Sequence, residues 1–254
     1  MGARIPERRY GVVGIAVNGA RSSGITKFVR RYGIIDRLAA ILLLPIILVL
    51  LISIYPVALM LQGRPFLFRS ERMMTPKRSF YLLKIRTMHA CSTSNCAVVG
   101  GDQLHRVTKF GHILRRSRLD ELPQIFNVLL GHIGFIGPRP PQRKYVEAFP
   151  EIYSKVLRAR PGITGLATVI FHRHETQMLR RCLSVEETDE VYRRRCIPMK
   201  AKLDSLYLER RSIGLNMFIL ARTGWHVFHS LWPDLQFGGG VMTHLGLRGS
   251  RSGG

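Results

Sequence analysis

Acidic residues are scarce in this chain. Its 254 residues include 16 Asp and Glu against 39 Lys and Arg, which gives a formal net charge of +23 at pH 7. A field of this sign concentrates anions, so the composition predicts nucleic acid, an anionic membrane surface or a phosphorylated substrate as partner. Because 46% of the residues are hydrophobic, polarity and charge do not make the chain disordered, and its length suits one domain with appendages.

Cysteine is also scarce, and several catalytic motifs are missing. The four cysteines are Cys91, Cys96, Cys182 and Cys196. They do not have C-x2-C zinc spacing and are too few for a disulfide scaffold, which favours a reducing compartment. The sequence contains no G-x4-G-K-[ST], G-x-G-x-x-G, H-E-x-x-H or G-x-S-x-G, which excludes the corresponding enzyme classes. His172 and His174 could bind a metal from one side of a strand, but isolated histidine pairs are usually polar surface.

Charge is absent from residues 38–63, which form a long apolar run. A straight helix of this length measures about 39 Å and exceeds the ~30 Å hydrocarbon core of a bilayer. A buried core helix is the alternative, but soluble helices are rarely apolar on every side. The run therefore predicts a membrane segment, to which we assign residues 33–64.

The flanks and prolines of this segment favour a re-entrant helix over a spanning one. Basic residues precede and follow it, so a spanning helix would leave one basic flank on the wrong side of the membrane. Pro45 and Pro56 each remove a helix hydrogen bond and favour a kink or break. A signal peptide at the N-terminus is a poor fit, because the apolar piece at 11–17 is short. Residues 1–32 are therefore predicted to be a basic, loosely ordered arm.

The rest of the chain predicts a mostly helical domain. Apolar and aromatic runs at 66–68 and 80–86, separated by a turn at 75–78, indicate a β-hairpin, and 89–104 is predicted to be a loop. A basic amphipathic helix is expected at 106–118. A second helix is expected to begin near Asp120, with Ser117 as its cap, and to end at Gly131.

Further helices are predicted towards the C-terminus. Ser184 and Glu187 fit the cap of one helix, which Pro198 interrupts. Two amphipathic helices follow near 199–211 and 214–230. Residues 65–236 form the expected catalytic domain, and the Gly-rich residues 237–254 are predicted to be a flexible tail.

Asp120 and Glu121 are candidate reactive groups because they are rare acids that directly follow several arginines. At a helix N-terminus, the dipole and the arginines would favour ionised carboxylates. Asp120 could then act as a nucleophile, and Glu121 could bind a hard divalent cation. The alternative is that both residues only cap the helix. Arg139, held between two prolines, suits phosphate binding, although a surface arginine is the usual explanation.

The order of the motifs resembles the bacterial sugar transferases, specifically the monotopic phosphoglycosyl transferases. The motifs are LLKIRTM at 82–88, LDELPQ at 119–124, FNV at 126–128, GPRP at 137–140, RPGITG at 160–165, and Leu203, Asp204 and Tyr207. The resemblance covers roughly residues 33–230. It implies an α+β fold, with a mostly helical cytoplasmic domain and a short β-hairpin, anchored by a re-entrant membrane helix and amphipathic interfacial helices.

The resemblance also implies an activity. A sugar 1-phosphate would pass from a UDP-sugar to undecaprenyl phosphate at the cytoplasmic face of the inner membrane, with release of UMP, to begin a surface glycan. Asp120 would be the nucleophile that forms an aspartyl phosphosugar, and Glu121 its partner at Mg²⁺. The expected substrate-binding residues are Arg86, Arg115 and Arg139.

The chain departs from the family pattern at a few positions, and these affect sugar specificity more than reaction type. The departures are His132, Gly134, Thr168 and Asn216. Two other functions remain as alternatives. One is a basic membrane-attached scaffold or nucleic-acid-binding protein, which would interleave aromatic residues with its arginines for base stacking, and little of this is seen. The other is a polyprenol-linked glycosyltransferase that moves the sugar without phosphate.

Overall fold

The computed structural model describes residues 22–89, 106–182 and 184–231, with side chains described between residues 33 and 229 of these ranges. Most of the predicted loop at 89–104, the tail at 237–254 and the first part of the basic arm lie outside the described residues. Cys91 and Cys96 also lie outside them, while Cys182 and Cys196 are free thiols.

The first helix, α1, runs from Ser22 to Gln62 and contains the apolar segment. It begins within the stretch predicted to be a loosely ordered arm, and it continues through both Pro45 and Pro56. The part Gly33–Gln62 is long and apolar enough to cross a membrane, by length and composition, with a mean hydropathy of 3.0. Most of its side chains are exposed on the protein surface. This exposure is compatible with membrane anchoring.

The predicted hairpin is confirmed. Strands β1 (Leu67–Thr75) and β2 (Arg78–Ile85) pair antiparallel, from Leu67 opposite Ile85 to Thr75 opposite Arg78. The Thr75 hydroxyl accepts a hydrogen bond of 3.1 Å from the backbone N–H of Arg78 and closes the turn. Alternation along β2 buries Phe80 and Leu82 on one face of the hairpin.

The helix predicted at 106–118 is also confirmed, as α2 (Lys109–Arg116), which is capped by Thr108. The predicted second helix is corrected. A 3₁₀ turn at Leu119–Glu121 comes first, and α3 (Gln124–Leu129) begins after Pro123. Ser117 is not the cap, because its hydroxyl donates back to the carbonyl oxygen of Ile113 at 2.8 Å.

The two loops that carry the GPRP and RPGITG motifs, at 137–140 and 160–165, each include or adjoin a short strand, and these strands meet. Strand β3 (Gly134–Ile136) pairs in parallel with β4 (Gly162–Thr164). A Cβ atom at Gly162 would collide with the backbone of Gly137, so the close approach of the two loops requires glycine there. Between the strands lie α4 (Arg143–Ala148) and α5 (Pro150–Val156).

Helix α6 (Leu166–Leu179) follows β4 and carries His172 and His174. The expectation that these histidines lie on a strand is therefore wrong. Ser184 caps α7 (Val185–Val191) by accepting from the backbone N–H of Glu187, as predicted. A π-helical turn (Tyr192–Cys196) leads into α8 (Ile197–Glu209), which has Pro198 in its first turn, and α9 (Ile213–Leu231) completes the described fold.

Two hydrophobic clusters hold the hairpin in place. Ala40 of α1 packs with Phe80 and Leu82 of β2 and with Ile125 and Val128 of α3. On the other side, the end of β1 packs against α4, α5 and α8 through a cluster that includes Met73, Tyr145, Tyr153, Val156 and Ile197. The fold is mostly helical with a short β-hairpin, as predicted, and β2 brings its polar residues to the turn at Leu119–Glu121.

Candidate active site

The turn between α2 and α3 carries the two carboxylates. Arg118 has a φ of 56°, which is unusual for a residue with a side chain, and it redirects the chain at the end of α2. Asp120 and Glu121 follow in the 3₁₀ turn with exposed fractions of 7% and 8%. Buried acids need compensating charge, so their neighbours decide their chemistry.

Three cations surround Glu121. Its Oε1 accepts from Lys84 Nζ and from the Arg139 guanidinium, each at 2.8 Å, and its Oε2 accepts from Arg118 at 3.3 Å. Burial alone would raise the pKa of Glu121, but the charges of Lys84, Arg139 and Arg118 hold it well below its ordinary value. Glu121 is therefore a firmly ionised carboxylate.

Asp120 has a different environment. Its ion pair with Lys84 is longer, at 3.8 Å. Burial raises the pKa of Asp120 and the charge of Glu121 raises it further, against the opposing effect of Lys84, Arg115 and Arg139. The arginines favour the ionised form of Asp120, as expected, but the expected helix N-terminus is missing, because α3 starts after Asp120, and burial makes the net shift of its pKa upward.

Lys84 is a site residue that the sequence prediction missed, as is Arg118. Lys84 lies on β2 and contacts both carboxylates. Burial lowers the pKa of Lys84, while the neighbouring Glu121 raises it. The available signal was a lysine inside an apolar strand, in the motif at 82–88, where a buried amine needs an acidic partner.

The three predicted arginines occupy different places. Arg139 pairs with Glu121, and this attraction raises its pKa. Arg115 donates its Nε–H to the Thr87 hydroxyl at 2.9 Å and attracts Asp120. Arg86 donates to the backbone carbonyl oxygens of Gln62 and Gly63, so it caps the end of α1. All three line the same cleft.

The cleft has a volume of about 890 Å³ and extends well beyond the carboxylates. Its further part contains Tyr153, Glu175, Tyr192, Lys200 and Asp204. Lys200 donates to Glu175 at 2.9 Å and to the Tyr192 hydroxyl at 3.3 Å. Burial raises the pKa of Asp204 to about 7, and within the described part of the chain its Oδ1 has no hydrogen-bond partner. The cleft thus combines cations near Asp120 with polar groups further away.

The carboxylates fit a magnesium ion only together with a substrate. Mg²⁺ in phosphate-binding sites usually takes one or two carboxylates and fills its other positions with water and substrate phosphates. Glu121 supplies one such carboxylate, beside the candidate nucleophile Asp120. In the described ranges, no group of three His, Cys, Asp or Glu side chains could hold a metal, so no third ligand of this kind joins His172 and His174.

Comparison with known proteins gives the family. The model of the family described as bacterial sugar transferase matches residues 25–230. The chain is 37% identical, over 58% of its length, to a UDP-N-acetylgalactosamine-undecaprenyl-phosphate N-acetylgalactosaminephosphotransferase of Aeromonas hydrophila. It is 32% identical, over 80% of its length, to a UDP-glucose:undecaprenyl-phosphate glucose-1-phosphate transferase of Xanthomonas campestris pv. campestris. It is also 40% identical, over 41% of its length, to the exopolysaccharide production protein PSS of Rhizobium leguminosarum bv. phaseoli.

These relatives are longer than the matched region. The matches cover 35%, 42% and 55% of the three proteins, respectively. The family match nevertheless spans the apolar segment of α1, the hairpin, both carboxylates and the arginines of the cleft. The family model therefore covers most of the chain, including all of these parts. The chain belongs to the bacterial sugar transferase family.

Proposed function

We propose that the chain transfers a sugar 1-phosphate from a UDP-sugar to undecaprenyl phosphate, through an aspartyl phosphosugar on Asp120, and releases UMP. This reaction would initiate the synthesis of a surface polysaccharide or glycoconjugate. The observation that carries the proposal is the buried pair of Asp120 and Glu121 in a cleft lined by Lys84, Arg115 and Arg139. The relatives' names differ in the sugar, so the proposal concerns the class of reaction.

In the first step, a carboxylate oxygen of Asp120 attacks the β-phosphorus of the donor. The bond from this phosphorus to the bridging oxygen breaks, and UMP leaves with the bonding electron pair. No proton has to move, because an anion attacks and an anion departs. Lys84 and Arg139 lie where they can neutralise charge that develops on the phosphate oxygens.

In the second step, an oxygen of the acceptor phosphate attacks the phosphorus of the aspartyl phosphosugar. The bond between this phosphorus and Asp120 breaks, and the carboxylate leaves with the electron pair. The product is a polyprenyl diphosphate sugar, and Asp120 returns to its starting state. The poor solvation of Asp120 suits both steps, since a partly desolvated carboxylate is a better nucleophile than a hydrated one.

The proposal includes Mg²⁺, held by Glu121 together with the donor's phosphate oxygens. A bound Mg²⁺ would neutralise diphosphate charge. Its neighbouring cations keep Glu121 ionised, which is the form that a hard cation requires of a carboxylate ligand.

We also propose that α1 enters and leaves the membrane on the cytoplasmic face. The backbone N–H of Phe135 donates to Asp36 near the start of the apolar segment, and the Thr108 hydroxyl donates to Gln62 at its end. Ala40 and Ala58 are both buried. Contacts of both ends with one domain support a re-entrant helix, because a helix that crosses the membrane carries one end about 30 Å away.

The alternative of a basic scaffold or nucleic-acid-binding protein needed Asp120 and Glu121 as helix-capping residues. The N-cap residue of α3 is Pro123, with no side-chain capping bond. Both acids instead face cations in the cleft. The geometry therefore favours catalysis over the scaffold.

The experiment is a donor-only reaction of the purified full chain with labelled UDP-sugars and Mg²⁺. We expect release of at most about one UMP per active site, with the label left on the protein. Asp120→Asn should bind donor but neither release UMP nor retain label, because it keeps the size and loses the nucleophile. UMP release only after addition of acceptor, or normal turnover by the Asn variant, would exclude the covalent intermediate. Release of UDP instead of UMP would indicate a glycosyltransferase.

A further inference from the structure

A second, smaller cavity adjoins the catalytic cleft. Its volume is about 240 Å³, and it lies between α2, β4, α6 and α9. Its charged and titratable lining residues are Arg115, Arg116, Arg118, Arg173, His172 and His226. Within the ranges that the structure describes, no carboxylate lines it. A cavity below the ~300 Å³ typical of drug-sized ligands suits a compact anionic group.

The cavity remains electropositive when the acidic partners of its arginines are taken into account. Arg118 shares Glu121 with two other cations, and Arg115 attracts Asp120. In the described ranges, Arg173 forms no ion pair. Burial and the surrounding arginines lower the pKa of His172 and His226, so both imidazoles are neutral at pH 7 and can donate or accept hydrogen bonds.

The helix that closes the cavity also carries an exposed apolar surface. Thr223 and His226 of α9 face the cavity. On other sides of the same helix, Phe218, Trp225 and Phe228 are 41%, 47% and 46% exposed. An apolar helix surface beside a basic cavity is the arrangement expected for an amphiphile with one anionic headgroup and a hydrocarbon tail.

We propose that this cavity binds the phosphate headgroup of the polyprenyl phosphate acceptor, at a subsite separate from the donor's. The inference rests on the proposed function and adds where the acceptor binds. Arg115 and Arg118 line both the cavity and the cleft, which places the headgroup next to Asp120. Thr168 and His172 also line both spaces, so an acceptor oxygen has a path from the cavity to the phosphorus on Asp120.

A direct binding experiment tests the subsite without turnover. The purified full chain is titrated with labelled farnesyl phosphate in the absence of donor, and farnesol, inorganic phosphate and UMP serve as competitors. We expect Arg173→Ala to weaken farnesyl phosphate binding about tenfold or more, because a charge-assisted hydrogen bond is lost. Arg195→Ala, which removes an exposed arginine outside the cavity, is the charge-matched control and should bind as the wild type does.

The competitors distinguish the possible ligands. Strong competition by UMP would place the acceptor in the donor cleft and overturn the separate subsite. Equal binding of farnesol would show that only the apolar surface is used, and equal binding of inorganic phosphate would show a site for free anions. Each of these results contradicts the proposal, as does an Arg173→Ala variant that behaves like Arg195→Ala.

Kinetics separate this inference from the proposed function. We expect Arg173→Ala to raise the KM for the acceptor about tenfold, with a much smaller change in the KM for the donor. If wild-type protein shows no donor-only UMP release, the covalent mechanism fails while the binding result still stands. If UMP release occurs and the acceptor KM does not change in Arg173→Ala, only the subsite is wrong.

Discussion

Asp120 and Glu121 are neighbours in the chain and have opposite electrostatic environments. Three cations lower the pKa of Glu121, whereas burial raises the pKa of Asp120. A pair of carboxylates with pKa values pushed apart can divide two chemical roles. Glu121 suits a permanent charge that binds cations, and Asp120 suits a carboxylate that forms and breaks a bond.

The role of Glu121 gives a prediction on metal dependence. We expect activity to require Mg²⁺ and Glu121→Gln to lose on the order of 10²-fold in kcat/KM, because a neutral amide is a weaker ligand and no longer balances Lys84 and Arg139. The measurement is UMP formation over a Mg²⁺ titration. Full activity in EDTA would remove the metal role, and an active Glu121→Gln that still needs metal would assign the ion to another acid.

Asp204 gives a prediction on pH and stability. Its pKa is about 7 in the folded chain against 3.8 as the ordinary value. Between these values, the folded state binds a proton that the unfolded state has lost, so rising pH destabilises the fold until about pH 7. Asp204→Asn cannot ionise. The difference in free energy of unfolding between this variant and the wild type should therefore grow in favour of the variant by on the order of 2 kcal/mol from pH 5 to pH 8.

The measurement for Asp204 is the difference in Tm between variant and wild type at pH 5 and at pH 8. Glu151→Gln changes an exposed acid and serves as the control, with no pH-dependent difference expected. A difference for Asp204→Asn that stays constant over this range would show that Asp204 is already ionised at pH 5.

At the residue scale, the sequence was informative about the acids and less so about their partners. Asp120 and Glu121 stood out because acids are rare and arginines precede them. The contact of Lys84 with both acids depends on the register of β2 and on the path of the chain at Arg118. These are tertiary features, and local patterns do not contain them.

At the scale of elements, long periodic segments were predictable and short ones were not. The hairpin has a clear turn signal, and α2 and α9 have clear apolar periodicity. Strands β3 and β4 have three residues each, too few to show a period. Helix α6 begins with β-branched residues that favour strands, and the packing of Ala167 and Phe171 in a core cluster outweighs that preference.

Helix α1 provides the prediction on topology. We expect single cysteines at positions 31 and 69, on a background without the native four, to resist a membrane-impermeant thiol reagent added to intact cells. Both flanks are basic and both ends of the apolar segment contact the same domain, so both should face the cytoplasm. Permeabilised cells are the control and should show labelling at both positions. Labelling of either position in intact cells would establish a spanning helix.

At the scale of the whole molecule, the net charge of +23 predicted an anionic partner but not where it binds. Folding brings cations from distant parts of the chain into one cleft: Lys84 from β2, Arg115 from α2, Arg139 from the loop after β3 and Lys200 from α8. Charge of one sign converges only when counter-charges are placed among it, and Glu121 and Glu175 perform this function. Composition predicted only an anionic partner, and the fold shows where these cations converge.

The contacts of α1 at both ends of its apolar segment also fix the position of the domain along this helix. Ala40 and Ala58 are both buried, so with α1 as the membrane anchor that we propose, the domain cannot rise or sink relative to it without breaking that packing. The cleft would then sit at a constant height over the lipid headgroups. A lipid substrate would reach it by lateral diffusion alone, its phosphate already at the correct level, and its tail would stay in the bilayer throughout the reaction. Turnover would then be insensitive to the number of isoprene units beyond those near the headgroup.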